Sequence, residues 1–285
     1  MTDGPAGLSS PDRPPAGSAA GESLEGRRAA FFDLDRTLIA GSSAFQFARA
    51  AYRAGMMSRR VVARGALANL RFRLRGSTDE ATQALRQRAL EDLRGVRVRE
   101  LQRLGPDILT GLLPKVYPKM LRLAWEHQDA GRRTYICTAA SQEIADLLAD
   151  VLLFDGAIGA RYESVDGVYT GRPGGPFTYR EGKAEAIRDL AARERIDLGA
   201  SWAYSDSESD LPMLRAVGHP VAVNPDIPLA RVAREEGWEV VRFETLGRRL
   251  KIGGAALTAA AVGGVGSIMA RRRGPSRTAR VLARR

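Results

Sequence analysis

The sequence predicts an α/β protein built on an open parallel sheet, and three observations carry that expectation. From residue 116 onward, short apolar runs of strand length alternate with amphipathic runs of helix length. That alternation lays parallel strands beneath helices on both faces. Carboxylate-rich clusters follow two of the strand candidates, Asp33 and Asp35 after the first and Asp206 and Asp210 after a later one. Open α/β sheets bind ligands at the carboxyl ends of their strands. A wholly helical stretch of about seventy residues separates the first strand from the rest, which reads as an inserted helical unit.

The elements follow in order. Ala29 to Phe32 is an apolar run that stops at Asp33. In a strand ending there, Asp33 and Asp35 project to the same side. Helical spacing then recurs through Phe45, Phe47, Ala48, Ala51 and Tyr52, through Val61, Val62, Leu67, Leu70 and Leu74, and through Leu85, Leu90, Leu93, Leu101 and Leu104. Gly55, Gly76, Gly95 and Gly105-Pro106 punctuate this unit. The alternating part places helices at 116–130, 141–151, 182–195 and 210–217, and strands at 133–137, 157–160, 202–205, 220–223 and 239–243. Asp166-Gly167, inside 162–169, signals a hairpin turn.

The formal net charge is +11 over 285 residues, but the excess is local. Ten basic residues and no acidic one lie from Arg248 to the end, leaving 34 basic against 33 acidic residues before it. The folded part is therefore nearly neutral, and no nucleic-acid partner is expected. Trp125, Trp202 and Trp238 follow no nucleic-acid pattern and read as packing residues. The single Cys137 excludes an internal disulfide. It lies in an apolar strand and reads as structural. His127 and His219 lack further ligand partners, so a zinc site is not expected. Residues 1–28, rich in Pro, Gly, Ser and Ala, read as a disordered arm without the apolar stretch of a secretory signal.

Four polar clusters can carry chemistry. Asp33 and Asp35 suit a divalent cation between them, or a division of labour as nucleophile and acid/base. Their spacing alone also suits an ordinary Asx turn. Thr138 ends the Tyr135-Ile136-Cys137 strand ahead of a helix, where a hydroxyl and free N–H groups fit a phosphoryl oxygen. A simple helix N-cap by Thr138 or Ser141 is the plainer alternative. Lys183 sits in the first turn of its helix, against the dipole, an objection that a bound anion removes. Asp206 and Asp210, with Asp33, make an oxygen-rich set fit for Mg2+.

Asp33-Leu34-Asp35-Arg36-Thr37, Thr138, Lys183 and Ser205-Asp206-Ser207-Glu208-Ser209-Asp210-Leu211-Pro212 resemble, in order, the four motifs of the haloacid dehalogenase superfamily. The chain is similar in particular to its phosphoserine-phosphatase-like branch, the subfamily IB hydrolases. The 165–171 hairpin, Glu181-Gly182-Lys183 and the helical insert after the first motif share in that likeness. The resemblance implies a three-layer, Rossmann-like parallel sheet with a C1-type helical cap. It divides the chain into the arm 1–28, a core of 29–41 and 114–245, a cap at 42–113, and a basic tail at 246–285. It also implies a Mg2+-dependent phosphomonoesterase. Asp33 would be the nucleophile and Asp35 the acid/base. Asp33, Asp206 and the Asp35 carbonyl would hold Mg2+, and Asp210 would orient Lys183 or a metal-bound water. Thr138 and Lys183 would grip the phosphoryl group of a small phosphorylated substrate.

The branch places a glutamate for the substrate ammonium at the start of the cap, where this chain has Ser42, and a cap arginine for the substrate carboxylate, for which Arg88 is the candidate. Ser42 argues against phosphoserine as the substrate, and Arg88 on its own reads more readily as an ordinary solvated helix residue. Two alternatives remain open at this stage. One is a phosphotransferase of the same fold, and the other a non-catalytic, membrane-tethered scaffold that binds a phospho-ligand. Residues 252–270 are nineteen without a charge between Arg248-Arg249-Lys251 and Arg271-Arg272-Arg273. Their length matches a bilayer span, but five Gly and six Ala make them a weak one. A flexible Gly/Ala extension is the rival reading. The expected location is cytoplasmic, with membrane contact on the cytoplasmic face through this tail.

Overall fold

The structure, a computed structural model, describes residues 27–55 and 79–243. The arm at 1–26, the expected helix through Val61–Leu74 and the tail from 244 onward, including 252–270, lie outside the described residues. No helix among the described residues is long and apolar enough to cross a membrane.

The centre is a six-stranded, all-parallel sheet in the order β3-β2-β1-β6-β7-β8. Its strands are β1 (Ala29–Asp33), β2 (Arg133–Ser141), β3 (Gly156–Ala160), β6 (Trp202–Ser205), β7 (His219–Val223) and β8 (Glu239–Val241). The chain winds outward from β1 through β2 to β3. It then returns to the other side of β1 and winds outward again through β6, β7 and β8. The two directions diverge between β1 and β6, so the crevice at their carboxyl ends is the switch point where such sheets take ligands.

All five β1 residues are buried, as a central strand covered on both faces requires. Alternate side chains feed two separate cores. Ala30 and Phe32 enter one with Met120, Ala124, Ile144 and Leu148, which come from α5 (Pro118–Asp129) and α6 (Gln142–Leu152). Ala29 and Phe31 enter the other with Ile187, Leu190, Leu214 and Leu229, contributed by α7 (Glu181–Glu194), α8 (Leu211–Arg215) and α9 (Ile227–Glu235). Phe32 stacks on Tyr204 with ring centroids 4.5 Å apart, and Phe31 on Tyr135 at 5.6 Å. These contacts tie β1 to both neighbours above and below the ladder.

Between β1 and β2 lie α1 (Ser43–Arg53), α2 (Asp79–Leu93), α3 (Val98–Arg103) and α4 (Gly105–Leu112). Their buried Ala50, Ala51, Leu101, Leu104, Ile108 and Leu112 join the Phe32 core, so the insert and the sheet share one apolar cluster. The buried stripe of α1 differs from the sequence expectation. Ser43, Gln46, Ala50 and Ala51 face inward, while Phe45 is 58% exposed and Tyr52 is also exposed. The rotation is set at the first turn, where the Ser43 N–H donates to the Asp35 carboxylate. Trp125 likewise lies exposed rather than packed.

A hairpin of β4 (Tyr162–Val165) and β5 (Val168–Pro173) turns through Asp166 and Gly167, both at positive φ, as a two-residue hairpin loop requires. It also pairs with the loop between α2 and α3. Gly95 N–H donates to Tyr169 O, Tyr169 N–H to Val96 O and Val98 N–H to Gly167 O, each at 2.9 Å. The helical insert is thereby stitched to the sheet domain at a second point, far in sequence from β1.

Candidate active site

Asp33 is the last residue of β1 and Asp206 directly follows β6, so the switch-point crevice has a carboxylate on each wall. Lys183 enters from the first turn of α7. Its Nζ donates to Asp33 Oδ1 at 2.6 Å and to Asp210 Oδ2 at 2.8 Å. All four side chains are buried. Burial works against the charge on Lys183, but Asp210 and Asp33 outweigh it and hold the ammonium above the ordinary lysine range. Its unfavourable position against the helix dipole is thus compensated by two carboxylates. Ser205 Oγ donates to the same Asp210 Oδ2 at 2.7 Å and accepts from Ser207 N–H, fixing the carboxylate that fixes the lysine.

The α7 start is built for that approach. Gly182 lies so close to the Phe177 carbonyl oxygen that a Cβ there would collide with it. The Gly182 and Lys183 amides donate to Tyr179 O and Arg180 O, and Arg180 itself is at φ +53.

Burial dominates the electrostatics of the aspartates. It lifts Asp33 to about 7 against the pull of Lys183, with Asp210 adding to the rise. It lifts Asp206 to about 8 against the pull of Arg36, with Asp33, Asp210 and Asp226 adding to the rise. Arg36 reaches Asp206 from the loop after β1, Nε to Oδ2 at 2.9 Å. Among the described residues, the ion pairs of Asp33, Asp206 and Asp210 are with Lys183 and Arg36.

Asp35 makes its hydrogen bonds to the start of the insert. Its Oδ1 accepts from Ser43 N–H at 2.7 Å and its Oδ2 from Ser42 Oγ at 3.3 Å. The carboxylate caps α1, from eight residues upstream.

Thr138 does not close β2 as the sequence suggested. The strand runs on to Ser141 through a bulge, with Cys137 paired to Ile158 and Ser141 to Ala160. Four residues oppose two, which turns the Thr138-Ala139-Ala140 backbone out of the ladder. Ser141, not Thr138, stands at the N-cap position of α6, and it makes no side-chain cap bond there. Thr138 Oγ accepts from Ala140 N–H at 3.2 Å, leaving its proton to donate, and the buried Ser141 and Thr37 hydroxyls have no partner among the described residues.

The remaining candidates are placed as follows. Arg88 is exposed on α2, whereas its neighbour Arg86 donates to Gly175 O and lies over the Phe177 ring. Ser42 bonds Asp35. Cys137 is fully buried, and burial pushes its thiol up, as expected of a structural cysteine. His127 bonds Tyr204 and His219 stacks on Trp202, so neither approaches the site chemistry. Sequence reasoning missed Ser43, Ser205, Arg36 and Asp226. Asp226 N–H donates to Asp206 O, and its side chain accepts from Leu229 and Glu208 N–H. Only Arg36 carried a readable signal, as a bulky residue in a tight turn directly after the two aspartates.

A parallel α/β sheet with a helical insert after β1 and this Asp-Lys-Asp arrangement at its switch point defines a phosphatase architecture. The chain belongs to the haloacid dehalogenase-like hydrolase family, whose model matches residues 30–215, and it is a phosphatase of the phosphoserine-phosphatase-like kind. It is 39% identical over 261 residues to phosphoserine phosphatase SerB1 of Mycobacterium tuberculosis, covering 90% of this chain and 85% of that one. It is 38% identical over 219 residues to the inhibition of morphological differentiation protein of Streptomyces azureus, covering 76% and 79%. Among solved structures, a Bordetella pertussis protein of unknown function superposes with a TM-score of 0.67 at 29% identity, covering 76% of this chain and 98% of that one. A substrate-bound phosphoserine phosphatase superposes with a TM-score of 0.57 at 18% identity, covering 79% and 98%, a likeness of fold.

Proposed function

We propose that this chain is a Mg2+-dependent phosphomonoesterase that hydrolyses small phosphate monoesters through an aspartyl phosphate on Asp33. The observation that carries the reading is the buried Lys183 ammonium shared between Asp33 and Asp210 at the switch point, facing Asp206. No three acidic, His or Cys side chains among the described residues form a metal cage by themselves. That suits Mg2+, which takes one or two carboxylates and completes its shell with water and phosphate oxygens. Asp33, Asp206 and the Asp35 carbonyl are the donors that fit, and the cluster's excess of negative charge favours a cation there. Bound Mg2+ would neutralise charge on the transferring phosphoryl group.

This chain's own residues divide the remaining work. The Asp33 carboxylate attacks phosphorus as the ester P–O bond breaks, and Asp35 gives a proton to the departing oxygen. Asp35, then ionised, takes a proton from water as that water attacks phosphorus, releasing inorganic phosphate and freeing Asp33. Lys183 has three donors, two of which hold Asp33 and Asp210. The third is available to a phosphoryl oxygen, as is the Thr138 hydroxyl proton. Asp210 positions Lys183 through Oδ2, which it shares with Ser205, and its Oδ1 is the oxygen that would meet the metal or a metal-bound water.

The relative named phosphoserine phosphatase makes phosphoserine the first substrate to try. Ser42 argues the other way, since a hydroxyl bonded to Asp35 offers no charge to a substrate ammonium. Arg88 is proposed only as a cap residue able to meet a substrate carboxylate. The test is inorganic phosphate release from phosphoserine, glycerol phosphate, lysophosphatidate, sugar phosphates and an aryl phosphate, with Mg2+ and with EDTA. Release that needs Mg2+ and prefers an ester without an amino group is the expected result. Release undiminished by EDTA would refute the metal reading, and a strong preference for phosphoserine would refute the argument from Ser42. Tail contact with a membrane and the cytoplasmic location remain part of this proposal, resting on the charge pattern of residues 248–273.

A further inference from the structure

We propose that Arg36 is an internal competitor for the divalent-cation site, seated on Asp206 until the metal displaces it. The inference rests on the metal-dependent reading above. The two cations of the site are held in different ways. Lys183, 4% exposed, lies between two carboxylates, whereas Arg36, 47% exposed, makes a single ion pair with a buried partner. The guanidinium can swing into water with its own charge solvated, which the enclosed ammonium cannot, and a metal ion can then take its place on the buried Asp206. It is therefore the one that exchanges.

Both halves of the pair are fixed to face each other. The Arg36 turn is closed by the Leu38 and Ile39 amides, which both donate to Leu34 O at 3.0 Å. Arg36 itself is at φ +64, a left-handed conformation that glycine adopts at lower cost. The arginine at this position carries that cost. Asp206 is anchored through its main-chain oxygen, which accepts from Asp226 N–H at 2.9 Å. Arg36 Nε stands 2.9 Å from Oδ2 of the carboxylate that is the metal donor on this wall. A cation on that oxygen and the guanidinium exclude each other by charge and by space. The exchange keeps Asp206 paired with a cation in both states and makes metal affinity a difference between two ion pairs.

The full chain, free of phosphate, is titrated with Mg2+ by calorimetry alongside Arg36→Gln, which keeps the stem out to the position of Nε and removes the charge. The variant is expected to bind Mg2+ about two- to fivefold more tightly, the scale of a partly exposed ion pair. In the wild-type protein the Arg36 Nε–H resonance, assigned through its correlations to the Arg36 side-chain and backbone nuclei, is expected to shift and exchange faster with solvent at the same Mg2+ midpoint. This second reading does not depend on how the variant folds. Mg2+ affinity unchanged by the substitution, or an Arg36 Nε–H signal unmoved at saturation, would overturn the competitor and leave the metal reading standing. Failure of both proteins to bind Mg2+ would overturn both.

Discussion

A lysine in the first turn of a helix opposes the dipole, and Lys183 does so while buried with two aspartates on its ammonium. Removing it strands Asp33 and Asp210 without a cation, a defect that costs about 3 kcal/mol where buried pairs have been broken. Lys183→Met is accordingly expected to lose about 3 kcal/mol of stability in urea unfolding with EDTA present. Adding Asp210→Asn should return part of that loss, because the two residues act as one unit. Activity should not return with it. Residues at this scale were legible where their type was costly in place. Asp33, Asp206, Asp210 and Lys183 are charges set beside apolar runs, and the structure gathers them. Ser205 and Ser43 were not legible, because a serine after a strand or before a helix has many ordinary uses. What distinguishes them is the carboxylate each one meets.

Element geometry explains how that lysine is delivered. The α7 start passes close beneath the Phe177 carbonyl, and only a residue without a side chain fits at position 182. Gly182→Ala is expected to displace the first turn of α7 and cost about 2 kcal/mol, the scale of overpacking a tight site. Phosphate release should fall at least about tenfold, since a small misplacement of a group in contact with the reacting atoms is enough. A wild-type rate in Gly182→Ala would show that the turn does not set the lysine.

On the opposite side of the sheet, α5 places His127 against Tyr204 and Arg132. Arg132 can only donate to Nδ1, so Nε2 carries the proton and donates to Tyr204. Burial, then Arg132, lowers this histidine from 6.5 to about 4. The unfolded chain therefore takes up a proton first as pH falls. The contribution is complete above 6.5 and is lost progressively toward 4, on the order of 2 kcal/mol. The difference between wild type and His127→Gln isolates it from the aspartates, whose raised values act in the opposite direction. That difference should shrink across the window; a constant difference would contradict the assignment.

For the molecule as a whole, the parallel sheet and its switch point could be read in advance, because buried parallel strands are apolar runs punctuated at their carboxyl ends. The strand at 202–205 falls where the sequence placed it. The bulge carrying Thr138 could not be read, since its cause lies in the pairing of β2 with β3 rather than in local composition. The α1 stripe was misread for a related reason. A helix capped by a distant carboxylate takes its rotation from that bond, so Gln46 faces inward while Phe45 does not. The stitching of the insert to the β4–β5 hairpin is likewise a long-range pairing that no local pattern announces. These contacts add the Asp35 bond and the hairpin pairing to the apolar core that the insert shares with the sheet.

The central claim is that Asp33 becomes covalently phosphorylated during turnover, and chemical trapping tests it most directly. The enzyme, turning over its best ester with Mg2+, is quenched with borohydride, which reduces an acyl phosphate to an alcohol, and the peptide holding residue 33 is analysed by mass spectrometry. Reduction of Asp33 to homoserine only when substrate is present, together with loss of phosphate release in Asp33→Asn, is the predicted result. Undiminished release by Asp33→Asn, or reduction at another carboxylate, would contradict it.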